Sequence, residues 1–156
     1  IVENPNAFKR AYFAKNIKLT SMDEAKEILT NDKTFDPKIT TLLNQDLNAN
    51  QLTGTGSAII NKYTPNKVVI KTNTNQDEVL VLSDQYDEGW SAMIDGDQTK
   101  ISRANLIFRA IKVPTGSHEV TFIYWPRSFD IGLKISLIAT LAIAFISFIA
   151  VKFKRF

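Results

Sequence analysis

The chain has no cysteine, which removes disulfides, thiolate metal sites and thiol nucleophiles together. Its fold must therefore rest on its core. Histidine occurs once, at His118. With no Cys or second His beside it, a residue that follows a turn and precedes a strand is expected at the surface, not in catalysis. No Asn-x-Ser/Thr sequon is present, and Gly and Pro number only 6 and 5. Plentiful Asn, Lys and Ile alongside them carry the bias of an AT-rich genome.

Usable excess charge is also lacking. The formal net charge is +3, but Lys134, Lys152, Lys154 and Arg155 against Asp130 account for all of it. Residues 1–128 are therefore neutral overall. A nucleic-acid groove needs clustered positive charge along one face, so no nucleic-acid partner is expected. At 156 residues the chain suffices for one domain with a real core and is too short for two of ordinary size. It begins at Ile1, not Met, and an upstream portion is expected.

What is present in abundance is a single apolar run. From Ile131 to Val151 the only charged residue is Lys134, and the hydroxyls Ser136, Thr140 and Ser147 are the only polar breaks after it. At about 1.5 Å per residue this stretch covers roughly 31 Å, the depth of a bilayer's hydrocarbon core. Its apolar residues lie all round the helix, which argues against a soluble amphipathic helix. The bland alternative, a core helix of a soluble protein, usually comes with a shorter run. Lys134, near one end, can snorkel to the interface. Lys152, Lys154 and Arg155 follow the span while Arg127 and Lys134 precede it, which favours a cytoplasmic C-terminus. A cell-wall sorting signal is excluded, because Val113-Pro114-Thr115-Gly116 lacks the spacer residue and lies too far upstream.

Ahead of the span the sequence predicts one helix over residues 20–31, opened by a Ser21-x-x-Glu24 capping box, with Met22, Ala25, Ile28 and Leu29 on one face. Strand patterns then recur at 39–43, 57–63, 67–72, 78–83, 90–94, 98–102, 106–113 and 119–125. Asp95-Gly96 is the pair that a tight hairpin turn prefers. The Asn- and Gly-rich stretch Asn44 to Gly56 is the expected long loop. Closely spaced strands without intervening helices predict a mainly β fold: an antiparallel β-sandwich with one packed helix, followed by a C-terminal transmembrane α-helix. The expected division is 1–128, an extracytoplasmic sandwich, and 129–156, a span at about 131–151 with a basic cytoplasmic tail.

An ordered series of short motifs adds to this. Asn4-Pro5-x-Ala7-x-x-Arg10-Ala11-Tyr12 opens it and Phe35-Asp36-Pro37 follows. Then come Leu80-Val81-Leu82-Ser83-Asp84, Gly89-Trp90, Asp95-Gly96, Arg103-Ala104-Asn105, Phe108-Arg109-Ala110, Val113-Pro114-x-Gly116 and Tyr124-x-Pro126-x-Ser128-Phe129. This series resembles the bacterial YfhO membrane protein family over nearly all of residues 1–134. One departure is Asp87-Glu88 before Gly89-Trp90, where the family carries aromatic residues or Pro.

The resemblance implies a multi-spanning, glycosyltransferase-like protein that uses lipid-linked sugars on the outer membrane face, in glycosylation of envelope polymers such as lipoteichoic acid. By that analogy residues 1–128 are an external accessory domain and 131–151 the last helix. The chemistry then lies in an upstream transmembrane bundle, and this part carries no catalytic residue, metal or cofactor. The implied partners are the lipid bilayer, that bundle, and a lipid-linked sugar or envelope polymer; the implied place is the bacterial cell membrane. The competing reading is a single-span, non-catalytic surface protein whose sandwich binds a glycan or protein. A hydrolase within this chain would need a nucleophile or metal motif, and none is seen.

Sugar recognition uses aromatic faces together with charged or amide groups, which makes Tyr86, Trp90, Arg103, Asn105 and Arg109 the candidate glycan-binding set. The bland alternative is that the aromatics fill the core and the arginines pair with Asp84 or Asp95. The acids Asp84, Asp87, Glu88, Asp95 and Asp97 do not follow the spacing of a calcium loop.

Overall fold

The computed structural model describes residues 7–49 and 52–153. The chain divides into two compact units, Ile1–Tyr124 and Trp125–Phe156. In the first, β1 (Ala11–Phe13) and β2 (Asn16–Leu19) precede α1 (Met22–Asn31), and β3 (Thr40–Leu43) follows it. Next come β4 (Ser57–Thr64), β5 (Lys67–Thr74), β6 (Glu78–Leu82), β7 (Trp90–Ile94) and β8 (Asp97–Thr99). The series closes with β9 (Ser102–Ala104), β10 (Phe108–Val113) and β11 (Gly116–Tyr124).

These strands build two sheets, one in the order β1-β6-β10-β9-β3-β2 and the other β4-β5-β11-β7-β8. The expected mainly β fold with one helix beside it is present. One ladder departs from the antiparallel rule: β2 and β3 run parallel, and α1 supplies the crossover that a parallel pair needs. Ser21 caps α1 by accepting the Glu24 N–H at 3.1 Å, while the Glu24 carboxylate turns instead to Lys18 at 3.0 Å. Of the expected apolar face of α1, only Ala25 is buried.

The two sheets face each other across a core that includes Val68, Ile70 and Phe122 from one and Leu80, Leu82 and Ile111 from the other. A second cluster lies on the opposite face of the six-stranded sheet, where Leu47, Ala49 and Leu52 pack with Val79, Val81 and Ala110. The segment read as a long loop is thus a cover for the sheet. It explains why every residue of β6, Glu-Val-Leu-Val-Leu, is buried, as a strand covered on both faces demands.

The cover is fastened by an acid. Glu78 is fully buried and accepts the backbone N–H groups of Thr53 at 3.1 Å and Gly54 at 3.2 Å, and the Thr53 hydroxyl as well. Gly54 has φ +63, and a Cβ there would stand 2.9 Å from the Lys15 Cα, so a larger residue does not fit.

Most strand boundaries shift by a few residues from the sequence reading, with β11 starting already at Gly116, and two of the shifts have a clear physical cause. The strand expected at 98–102 ends at Thr99, and Ser102 begins β9 in the other sheet, its buried hydroxyl donating to the Gln45 carbonyl. The strand expected from Leu106 begins at Phe108 because Asn105 and Leu106 form a turn with φ of 44 and 69. Asp95 and Gly96 both have positive φ, 52 and 97, as the hairpin pair predicts.

The second unit is one helix, α2 (Arg127–Phe153). Its stretch Arg127–Ala150 is long and apolar enough to cross a membrane, and side chains on all sides of it, among them Leu137, Ile138, Leu141 and Phe145, are exposed. Within it Lys134 pairs with Asp130 at 2.7 Å, and the Thr140 hydroxyl donates to the Ser136 carbonyl at 2.8 Å. Trp125 and Phe129 meet edge to face, ring centroids 4.9 Å apart.

Candidate functional site

β10 carries Arg109 into the space between the sheets, where the side chain is 1% exposed. Its guanidinium carbon lies 3.7 Å from the centroid of the Trp90 ring on β7 and 5.2 Å from that of Phe122 on β11. Nη2 donates to Asp84 Oδ2 at 3.3 Å. Nε and Nη1 are buried with no hydrogen-bond partner among the described residues. Burial pushes the Arg109 pKa down to about 10, against the opposing pull of Asp84, so the group stays charged at neutral pH.

Asp84 follows β6 and serves several neighbours at once. Its Oδ2 also accepts the Tyr63 hydroxyl at 3.1 Å, and its Oδ1 is 3.6 Å from Arg10 Nη1. Arg10 in turn lies 4.6 Å above the Tyr63 ring. A cleft of about 240 Å³ opens over this network, lined by Tyr63, Asp84, Gln85, Trp90 and Arg109 with Thr64, Pro65 and Val68. Two aromatic rings, a carboxylate, an amide and a cation around one hollow are groups that recognise the apolar face and hydroxyls of a sugar ring.

The five candidates read from the sequence are therefore divided. Trp90 and Arg109 line the cleft. Arg103 sits directly across from Arg109 in the β9–β10 register, but its guanidinium covers Tyr86 at 4.4 Å. Asn105 is buried in the turn after β9, and its Oδ1 accepts the Leu42 N–H at 2.9 Å, a backbone-fastening role. Tyr63 and Gln85 were missed, since nothing local ties the end of β4 to the segment after β6. Asp84 closes the Leu80-Val81-Leu82-Ser83-Asp84 motif, and its charge beside an arginine-rich set is the local sign of the cleft. The arginine pairing expected with Asp84 or Asp95 is with Asp84.

His118 lies elsewhere, half-buried in β11. Its Nδ1 is 2.6 Å from Asp95 Oδ2 and its Nε2 3.1 Å from the Thr115 carbonyl oxygen. With an acceptor at each ring nitrogen the imidazolium is favoured, and the pKa is raised, chiefly by Asp95. The same contact lowers the Asp95 pKa. No group of three or more His, Cys, Asp or Glu able to hold a metal occurs among the described residues.

A two-sheet domain followed by an apolar helix of membrane-crossing length fits a membrane-associated protein. Residues 13–136 match the model of the family described as bacterial membrane protein YfhO, and the chain belongs to that family. A stretch of 83 residues, 53% of the chain, is 28% identical to a protein of Bacillus subtilis (strain 168) named uncharacterized protein YfhO, and it spans 10% of that protein's length. No solved structure matches the chain.

Proposed function

We propose that this chain is the external accessory domain and last helix of a multi-spanning, glycosyltransferase-like membrane protein that acts in glycosylation of envelope polymers of the lipoteichoic acid type. Residues 1–128 lie outside the membrane and the C-terminus in the cytoplasm, in keeping with the three basic residues after the span against two at its start. Glycosyl transfer belongs to the upstream bundle: the bond from the sugar's anomeric carbon to the lipid phosphate breaks, a bond to the acceptor oxygen forms, and the acceptor's proton leaves. The accessory domain supplies no catalytic group and no cofactor. It holds a sugar of the donor or polymer near that bundle. The relative, of which the matched stretch is 10%, supports a much longer parent protein.

The observation that carries the reading is the Arg109 cleft, whose lining brings Tyr63 and Trp90 together with Asp84, Gln85 and a buried cation. The test is made in cells that depend on the full-length gene, by measuring sugar on the envelope polymer. Gln85→Ala and Trp90→Phe, at unchanged protein level, are expected to reduce that sugar severalfold. Unchanged sugar in both would overturn the reading. The alternative, a single-span surface protein that binds a glycan without transferring it, draws on the compactness of Ile1–Tyr124 as a unit. It predicts no sugar loss on gene deletion, yet retained glycan binding.

A further inference from the structure

The compact unit Trp125–Phe156 opens with two large rings in contact. Trp125 and Phe129 meet edge to face, centroids 4.9 Å apart, yet they are 53% and 52% exposed. A single exposed ring needs no explanation, whereas a fixed pair that continues into an exposed apolar helix surface marks a place where something other than water is expected. The start of the helix holds the pair. The Pro126 carbonyl accepts the N–H groups of Phe129 at 3.0 Å and Asp130 at 3.3 Å, which turns Phe129 back toward the Trp125 ring.

The next charges along the helix fix the depth. Asp130 and Lys134 pair at 2.7 Å. Helical side chains tilt toward the N-terminus, so the Lys134 ammonium is carried back about one turn, roughly 5 Å, to the level of Asp130. Past this pair no charged residue occurs before Lys152. Lipid hydrocarbon can therefore begin just beyond Asp130 without surrounding an unpaired charge. Phe129 lies one residue outside that boundary, and its ring leans outward to Trp125.

Outside the hydrocarbon, each face of a bilayer has an interfacial layer about 5–7 Å thick, in which aromatic side chains of membrane proteins collect. Trp125 suits it, because an indole has an apolar body and one N–H that can donate to a lipid carbonyl or to water. Phe129, with no such group, is the member nearer the apolar run. We propose that Trp125 and Phe129 form a lipid-binding collar that sits in this interfacial layer, with the Asp130–Lys134 ion pair at its inner edge and hydrocarbon starting at Ile131. The partner is phospholipid and not a protein helix, because exposed Ile131, Leu133, Ile135 and Leu137 continue the ring surface around α2. The proposal requires α2 to cross the bilayer and is independent of the sugar reading of the Arg109 cleft.

The test places the full chain in phosphatidylcholine vesicles and measures tryptophan quenching by lipids brominated at a shallow or a deep acyl position, and by aqueous iodide. The Trp125 signal is obtained twice: alone in Trp90→Phe, since the chain has two tryptophans, and as the difference between the unaltered chain and Trp125→Phe, which leaves the domain core untouched. A reference, Trp90→Phe/Trp125→Phe/Leu141→Trp, puts the only tryptophan in the middle of α2 and reports separately on the crossing. Trp125 is expected to be quenched about twofold or more strongly by the shallow lipid than by the deep one, and Leu141→Trp in the opposite order. Iodide quenching of Trp125 with no effect of either lipid, or deep quenching above shallow, overturns the collar while the reference still reports a spanning helix. A protein helix lying over the rings would show as no quenching by lipid or iodide, which overturns it equally. If the reference itself escapes the deep lipid, the crossing fails and the collar with it.

Discussion

The Arg109 guanidinium carbon lies over the Trp90 ring, 3.7 Å from its centroid, so a cation sits where the core of a sandwich would otherwise be purely apolar. Its charge is balanced by Asp84, which also serves Arg10 and Tyr63. Asp84 is therefore the harder residue to lose. Asp84→Asn leaves a buried cation without its counter-charge and is expected to destabilise by about 2–3 kcal/mol, whereas Arg109→Met fills the space with apolar volume and costs about 1 kcal/mol or less. Denaturant unfolding of the chain in micelles, followed by tryptophan fluorescence, measures both. The reverse order would show that the cleft network does not hold Arg109.

Glu78 makes a second separable prediction. Glu78→Gln turns one acceptor into a donor facing backbone N–H groups, and the lost charge-assisted bonds cost about 1.5–3 kcal/mol. Gly54→Ala strains the same segment because of its positive φ and the approach of Lys15. Both substitutions are expected to speed hydrogen exchange in residues 44–56 before it changes in β5 and β11. Uniform acceleration through the domain would mean that the cover has no stability of its own.

The hairpin at Asp95 should respond to pH on both sides. His118 has its pKa raised above the ordinary 6.5, so its stabilising contribution is complete below that value and is lost as pH rises through the raised pKa. Asp95 has its pKa lowered from 3.8, so its contribution is present above that value and is lost as pH falls through the lowered one. Unfolding midpoints across pH should therefore be highest between the two, and His118→Asn should flatten the alkaline side. An unchanged alkaline slope in that variant would place the titration elsewhere.

Much of this architecture could be read from local pattern. The capping box at Ser21, the Asp95-Gly96 hairpin, the apolar run of β6 and the final helix each depend on neighbours a few residues away. What escaped the sequence depends on distant ones. β1 is three residues long and pairs with β6, Ala11 against Leu82, with no turn signal to announce it. Leu47, Ala49 and Leu52 are too scattered to read as an element, yet they cover a sheet face. Charged residues in strands are naturally read as facing water, and Arg109 and Glu78 do the opposite because Asp84, Thr53 and Gly54 come from elsewhere in the chain. Asn105 has the chemistry of a sugar contact, but a backbone N–H from Leu42, 63 positions away, takes its oxygen.

The absence of cysteine makes the central claim directly accessible. Single cysteines at Ser117, on the β-sheet domain, and at Lys154, beyond the apolar run in sequence, can be probed in intact cells with a membrane-impermeant maleimide. Labelling of Ser117→Cys in intact cells, and of Lys154→Cys only after permeabilisation, is the predicted result. Labelling in the opposite order, or release of the chain into the soluble fraction without detergent, would contradict an external domain held by a spanning helix.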